Sequence, residues 1–381
     1  MPIELHDNLK AAQREKALPK LTAYNRIDGP GSSLDLSEFQ EAFWRLPDIQ
    51  EDDPAQKWSC DLPRTIGMTI DTGTEISAHP FDPGFICVKS VEYETEVVAA
   101  PGEVTPVKEN WLLKILEIFD LSGVKFILRN LREGTQSSGL GGSSTATIGV
   151  CILANILAGQ PFSDVQLISL ASRVEQGLGV SITGTQEQSN VIFGGVTDYV
   201  WFPWGVPGDS GTGYGESLRY ELITPEDYGL LEERMAIFHS GHPRLSSEVN
   251  QTWRNALLTG PGYKLHSAKL KVAYEFREGL RLQKWDHVLE SIDRYRRIRT
   301  KLCEGYMENS RDLLERAESL YSTAFPLGAG GGGGVLLFSP EPGSLEELRE
   351  DLKGIYREIP FKLRSNGHEL SNVDLRPSAP D

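Results

Sequence analysis

Cysteine is scarce in this chain. There are four in 381 residues, Cys60, Cys87, Cys151 and Cys303, and no Cys-x-x-Cys pair. This excludes a disulfide-dense scaffold and the common zinc frameworks, and it fits a reducing, cytoplasmic compartment. Positive charge is also short: 38 Lys and Arg stand against 54 Asp and Glu, a formal net charge of −16. Such a balance predicts no nucleic-acid partner, although backbone amides and a few cations can still collect a small anion. No apolar run reaches the length of a membrane span, and residues 1–20 lack a signal-peptide core. No membrane partner is therefore expected. A Gly-x-x-x-x-Gly-Lys-Ser/Thr phosphate loop is absent too, which leaves P-loop kinase chemistry without support.

Glycine, in contrast, is abundant and clustered. Residues 137–146 read Ser-Ser-Gly-Leu-Gly-Gly-Ser-Ser-Thr-Ala and run directly into an apolar segment. The spacing of Ile148, Cys151, Ile152, Ile156 and Leu157 predicts a helix over 145–158, stopped by Gly159 and Pro161. The first N–H groups of a helix have no partner within it and sit at the positive end of its dipole. Glycine lets those amides approach a ligand closely, so a phosphate is the natural guest. Ser143 and Ser144 add hydroxyls that can cap the helix, touch a phosphate or reach a metal riding on it. Alone, such a loop reads first as a turn that merely caps a buried helix. A second cluster, residues 327–334, leads into the strand-like Val335-Leu336-Leu337-Phe338. Two glycine loops, each joined to an ordered element, suggest one shared ligand site.

The remaining pattern is mixed. Strands are expected within 21–35, over 68–77, 91–97 and 124–129, over 197–202, 235–239 and 335–338, and finally over 359–363. Helices are expected over 111–119, from a Ser163 cap to about Glu175, over 263–282, 285–299 and 310–322, and after a Ser344/Glu347 capping box. Strands and helices that do not alternate regularly point to α+β, and the length suits two domains, drawn at 1–203 and 204–381.

Three motifs then resemble those of the GHMP small-molecule kinases, most closely their sugar-kinase branch of D-glycero-D-manno-heptose 7-phosphate kinases and fucokinase-like enzymes. They are Arg26-Ile27 with Gly29-Pro30-Gly31-Ser32-Ser33-Leu34-Asp35, then Gly139-Leu140-Gly141-Gly142-Ser143-Ser144-Thr145-Ala146, and lastly Gly328-Ala329-Gly330-Gly331-Gly332-Gly333. The resemblance spans roughly residues 20–365. It implies a ribosomal-S5-like N-terminal α/β domain, a ferredoxin-like C-terminal domain and an active site between them. It implies ATP-dependent phosphoryl transfer to a hydroxyl of a sugar, sugar phosphate or related polyol. ATP would lie over Gly139, Leu140, Gly141, Gly142, Ser143 and Ser144, with Gly330, Gly331 and Gly332 facing it. Mg²⁺ would be held by Ser143 and Glu175, and the acceptor by Arg26, Ser33, Asp35 and Gln188. The resemblance leaves a homodimer open.

One segment departs from the family. Where the family reads Gly-Lys-Gln-Asp-Gln, this chain has Gly184-Thr185-Gln186-Glu187-Gln188. Glu187 takes the place of the aspartate that orients or deprotonates the acceptor hydroxyl, and the lysine charge is gone. The alternative reading is therefore a weak or inactive homologue that binds nucleotide or sugar as a sensor. His239 and His242 read first as surface histidines and second as substrate contacts, Arg64 and Arg244 are candidates for a phosphate on the acceptor, and Trp201 and Trp204 read first as core packing and second as stacking on a sugar.

Overall fold

The computed structural model describes residues 2–43, 62–133, 135, 138–203, 216–242 and 246–372. Cys60, Ser137, Trp204 and Arg244 lie outside the described residues. The chain opens with β1 (Ile3–Glu4), α1 (His6–Arg14), β2 (Lys20–Asp28), α2 (Ser37–Phe43) and β3 (Arg64–Pro80). It continues through β4 (Ile86–Ser90), β5 (Thr95–Ala99), α3 (Trp111–Ile118), β6 (Leu121–Ser122) and β7 (Val124–Asn130). Then come α4 (Gly142–Leu157), α5 (Asp164–Gly177), α6 (Gln186–Phe193), β8 (Val196–Trp201) and β9 (Ser217–Ile223). After α7 (Tyr228–Glu232) and β10 (Met235–His239) follow α8 (Ser246–Leu257), α9 (Gly260–Arg281), α10 (Trp285–Leu302) and α11 (Arg311–Ser319). The described chain ends through β11 (Thr323–Pro326), β12 (Gly334–Phe338), α12 (Pro342–Leu352), β13 (Arg357–Glu358) and β14 (His368–Ser371).

Two larger sheets organise these elements. One has eight strands, ordered β14-β2-β3-β7-β4-β5 with β8 and β9 added at β3; the other has four, ordered β11-β12-β10-β13. This is the expected α+β arrangement. The large sheet continues past residue 203, because β9 pairs with β8, and β14 returns to pair with β2. Strand β3 is long enough to serve two neighbours, β8 through residues 64–68 and β7 through residues 74–80. Helix α4 lies against this sheet with most of its residues buried. Gly149 makes that close packing feasible, since a Cβ there would sit 2.6 Å from Ile76 Cδ1. Ile27, Ile66 and Met68 of the large sheet share a core with Val272, Ala273 and Phe276 of α9 and Ile237 and Leu336 of the small sheet.

Four sequence expectations are corrected. The alternating Val91-to-Val97 stretch is not one strand but the tip of the β4–β5 hairpin, with Glu94 left-handed at φ +51°. Alternation there reflects a turn that leaves its side chains in water, not a pleat. No capping box forms at Ser344: Pro342 starts α12 two residues earlier, with Glu341 as N-cap and no side-chain cap bond. Proline at the first helical position pre-sets φ and gives up no needed N–H. The final strand is β14, whereas the 359–363 segment contributes only an isolated bridge between Ile70 and Leu363. Helix α4 begins at Gly142 rather than Thr145, which puts Gly142, Ser143 and Ser144 in its first turn.

Candidate active site

Strand β7 leaves the sheet, and the chain turns at Gly139 (φ +81°) and Gly141 (φ +80°) before α4 starts. Both left-handed positions favour glycine. At Gly141 the space also demands it: a Cβ would lie 2.9 Å from Glu187 Cγ and 3.3 Å from Arg26 Nη1. Gly142 is exposed, with nothing within 4 Å of its Cβ position. The loop therefore opens the free N–H end of a 16-residue helix onto a cavity of about 570 Å³. The loop residues Ser138 to Ser144, Glu187 and Asn250 line it together with the apolar Val88, Val97, Trp111 and Leu128 and with Tyr93.

The serines do not cap α4. Its N-cap, Gly141, makes no side-chain cap bond, and both hydroxyls turn to Glu175 of α5. Ser144 Oγ donates to Glu175 Oε2 at 2.7 Å and Ser143 Oγ to Oε1 at 3.2 Å. Thr147 Oγ1 lies 3.2 Å from Oε1, and Gln188 Nε2 donates to Oε2 at 3.1 Å. Glu175 is 0% exposed. Burial raises its pKa to about 7, the bond from Ser144 opposes this, and the charge of Glu187 adds to it. Ser143 and Glu175 are thus brought together as the motif implies. Gln188 holds Glu175 from behind and is itself buried.

Arg26 takes a place that sequence reasoning did not foresee. It is 3% exposed and touches three groups at once. Nε meets Asp28 Oδ1 at 2.6 Å, Nη1 donates to Gly139 O at 3.1 Å, and Nη2 pairs with Glu187 Oε1. Its backbone N–H also donates to Leu140 O at 3.3 Å. A register shift in β2 between Tyr24 and Arg26, opposite β3, re-aims the strand here. Arg26 is thereby a brace between the glycine loop and Glu187, enclosed by protein. It also supplies the positive charge that Thr185 does not.

Asp35 is 3% exposed and reaches across to α6, where its Oδ2 accepts from Gln186 N at 3.0 Å. Its carboxylate therefore satisfies the first free N–H of the helix that carries Glu187. Burial and the nearby Glu187 and Asp28 charges push its pKa up to about 7 against two backbone hydrogen bonds. In the unfolded chain the group titrates near ~4. Between those values the folded protein holds a proton that the unfolded chain has released. The stabilisation from this group is complete below about 4 and is lost as pH rises through about 7. Asp35→Asn is thus expected to lose less stability than wild type between pH 5 and pH 8. Urea unfolding midpoints at both pH values measure this, and parallel profiles would refute it.

The second glycine loop abuts the first. Gly334 N donates to Ser138 O at 2.7 Å, joining the two segments that the sequence pairs. Of Gly330, Gly331 and Gly332, the first two pack instead against Tyr306: Gly331 N donates to Tyr306 O at 2.9 Å, and a Cβ on Gly330 would meet the Tyr306 ring at 2.1 Å. Among the described residues lining the cavity these three do not appear. Other candidates fall elsewhere. Trp201 is buried and bonds Thr65, and Arg64 pairs with Asp198 at 3.1 Å inside the fold. His239 Nδ1 accepts from Gly241 N at 3.0 Å. No cluster of three His, Cys, Asp or Glu able to hold a metal occurs among the described residues. No described helix is long and apolar enough to cross a membrane.

Two residues at this site were missed. Thr147 follows the serines by one helical turn, a legible spacing. Lys269 of α9 is 0% exposed and donates to Ser32 O at 3.0 Å and Ser33 Oγ at 2.8 Å. Its signal was position: it lies on the buried stripe of His266, Ala273, Phe276 and Leu280.

Residues 111–195 match the family model described as GHMP kinases N terminal domain. No curated protein matches the sequence. Among solved structures, the Lin0012 protein from Listeria innocua is similar with a TM-score of 0.68 at 12% identity, over 93% of this chain and 99% of that one. Streptococcus pneumoniae phosphomevalonate kinase, in complex with phosphomevalonate and AMPPNP, gives 0.66 at 13% identity, over 91% and 99%. A D-glycero-D-manno-heptose 1-phosphate kinase from Bacteroides thetaiotaomicron gives 0.62 at 16% identity, over 93% and 98%. The chain thus has the GHMP-kinase fold, and residues 111–195 are similar to that family's N-terminal domain.

Proposed function

We propose that this protein is an ATP-dependent small-molecule kinase that transfers the γ-phosphoryl group to a hydroxyl of a sugar, sugar phosphate or related polyol. One observation carries the reading: the open, glycine-led start of α4 and the carboxylate of Glu187 face the same cavity. The first supplies amides for phosphate oxygens, and the second supplies an acceptor for a hydroxyl proton. The AMPPNP-bound neighbour supports ATP as donor, and the heptose 1-phosphate kinase supports a sugar-class acceptor.

In this reading the acceptor oxygen attacks the γ-phosphorus, the bond from that phosphorus to the β–γ bridging oxygen breaks, and ADP leaves. Glu187 orients the hydroxyl and takes its proton. Little more is needed, because a loose phosphoryl-transfer transition state depends mainly on alignment and charge neutralisation. The donor set also suits Mg²⁺. Ser143 Oγ and Glu175 Oε1, 3.2 Å apart, are hard oxygen ligands, and this cation keeps waters and phosphate oxygens for its other positions. Bound there with the nucleotide, it would neutralise charge on the transferring group. Glu175 would hold it, and Ser143 would turn its lone pair outward. The family-model match and the kinase neighbours support the kinase reading over the sensor reading.

ADP release with MgATP over hexoses, heptoses, heptose phosphates and cyclitols tests the proposal. Turnover of at least one acceptor is expected, and Glu175→Gln should raise the Mg²⁺ concentration for half-maximal rate about tenfold or more. Nucleotide binding without turnover on any acceptor would overturn it.

A further inference from the structure

Helix α9 belongs to the second half of the chain, yet one face of it reads the 29–33 turn residue by residue. Phe276 packs where a Cβ on Gly29 would come within 2.7 Å of its ring. Ala273 lies 3.2 Å from the corresponding position on Gly31. Lys269 completes the row at Ser32 and Ser33. Positions 269, 273 and 276 share a helix face by their spacing. Two of the three contacts are apolar and would suffice as packing. The third is a lysine amine in full burial, where burial and the nearby Arg299 disfavour its charge, and such a polar group is retained at a cost unless it is well bonded. Lys269 has the Ser32 carbonyl and Ser33 hydroxyl as partners, with the rings of Phe39 and Trp253 at 5.4 Å and 5.7 Å.

The turn it holds is not relaxed. Ser33 is left-handed at φ +74°, a conformation that a residue with a Cβ adopts only when held there. Two residues later Asp35 receives Gln186 N, the first residue of α6, and Glu187 follows at once. A continuous set of contacts therefore runs from Lys269 through Ser33 and Asp35 to Glu187.

We propose that Lys269 is a positioning residue for the acceptor: it fixes the 29–35 turn and, through Asp35, the place of Glu187 relative to the acceptor hydroxyl. This rests on the kinase reading above. It predicts that acceptor use and nucleotide use come apart, because the side-chain bonds of Lys269, Ser33 and Asp35 stay within the 29–35 turn and α6 and, among the described residues, none reaches the start of α4.

The test uses the full-length protein and an acceptor that wild type turns over, with Lys269→Met, Ser33→Ala and the double variant. Lys269→Met should raise the acceptor KM about tenfold or more and leave the ATP KM within about twofold. Ser33→Ala should raise the acceptor KM less. The double variant should match Lys269→Met alone, since both act through one bond. A purely structural lysine would lower thermal stability while leaving both KM values alone, and that result overturns the proposal. So does an equal rise in both KM values. If Lys269→Met fails to fold, Ser33→Ala decides, and an unchanged acceptor KM refutes the idea. Absence of wild-type turnover on every acceptor overturns the kinase reading and this proposal with it, which distinguishes that failure from a wild-type enzyme whose variants behave normally.

Discussion

Glu187→Ala should lower kcat about 10²- to 10³-fold while the KM for ATP stays within a few-fold. The side chain is 18% exposed and is the carboxylate beside the glycine loop that also lines the cavity. A positioned general base contributes roughly 10²–10⁴-fold, and the lower part of that range applies when the transition state is loose. Glu187→Asp tests reach. It keeps the charge but withdraws the carboxylate by one methylene from the hydroxyl and from Arg26. Misplacement on the scale of an ångström can cost about 10²-fold, so aspartate should restore only part of the loss. Initial-rate kinetics with saturating MgATP and a varied acceptor give both numbers. A Glu187→Ala enzyme with wild-type kcat would remove the base from the reaction.

Much of this site was legible from sequence, and the boundary of legibility has a physical cause. The glycine loops and Ser143 were readable because backbone conformation and a helix start impose residue types locally: Gly139 and Gly141 are left-handed, and Ser143 lies in the first turn, whereas Glu175, near the end of α5, was reached only through the family resemblance. The two loops were expected to share a site, and a single backbone bond from Gly334 to Ser138 joins them. Arg26 was readable as part of a motif but not in its contacts, because the partners Glu187 and Gly139 lie 161 and 113 residues away. Lys269 was hidden for the same reason, 236 residues from Ser33. Helix α6 went unread because it is short and most of its polar residues, Gln186, Gln188, Ser189 and Asn190, are buried, so no apolar stripe marks it. At the β4–β5 hairpin the pattern misled in the other direction: alternating Val and Glu describe a strand only where a neighbour pairs with it.

Arg26 separates two roles by their opposite signatures. A substrate contact at this position would be at least partly open, and its loss would raise the acceptor KM with little effect on stability. The geometry makes it a brace, with Asp28, Glu187 and Gly139 O all on one guanidinium that is 3% exposed. Asp28 and Glu187 together with burial define its electrostatics: burial disfavours its charge, and the two carboxylates restore it. Arg26→Met leaves Asp28, 2% exposed, without this counter-charge and frees Glu187 to swing. Breaking a buried pair from one side costs about 3–5 kcal/mol, so unfolding stability should fall by roughly that amount. kcat should fall about tenfold or more even in the folded fraction, because Glu187 loses its anchor and Gly139 loses a donor that fixes the first glycine loop. Arg26→Lys should recover part of the stability and little of the rate. An ammonium is a point charge and cannot reproduce a fork bonded to three groups at fixed angles. Combining Arg26→Met with Glu187→Gln should then cost much less in kcat than the two separate losses multiplied together, since both disable the same orienting pair. Urea unfolding and steady-state kinetics on the four proteins carry the comparison. Multiplicative losses, or an Arg26→Met variant of normal stability with a raised acceptor KM, would return Arg26 to the substrate.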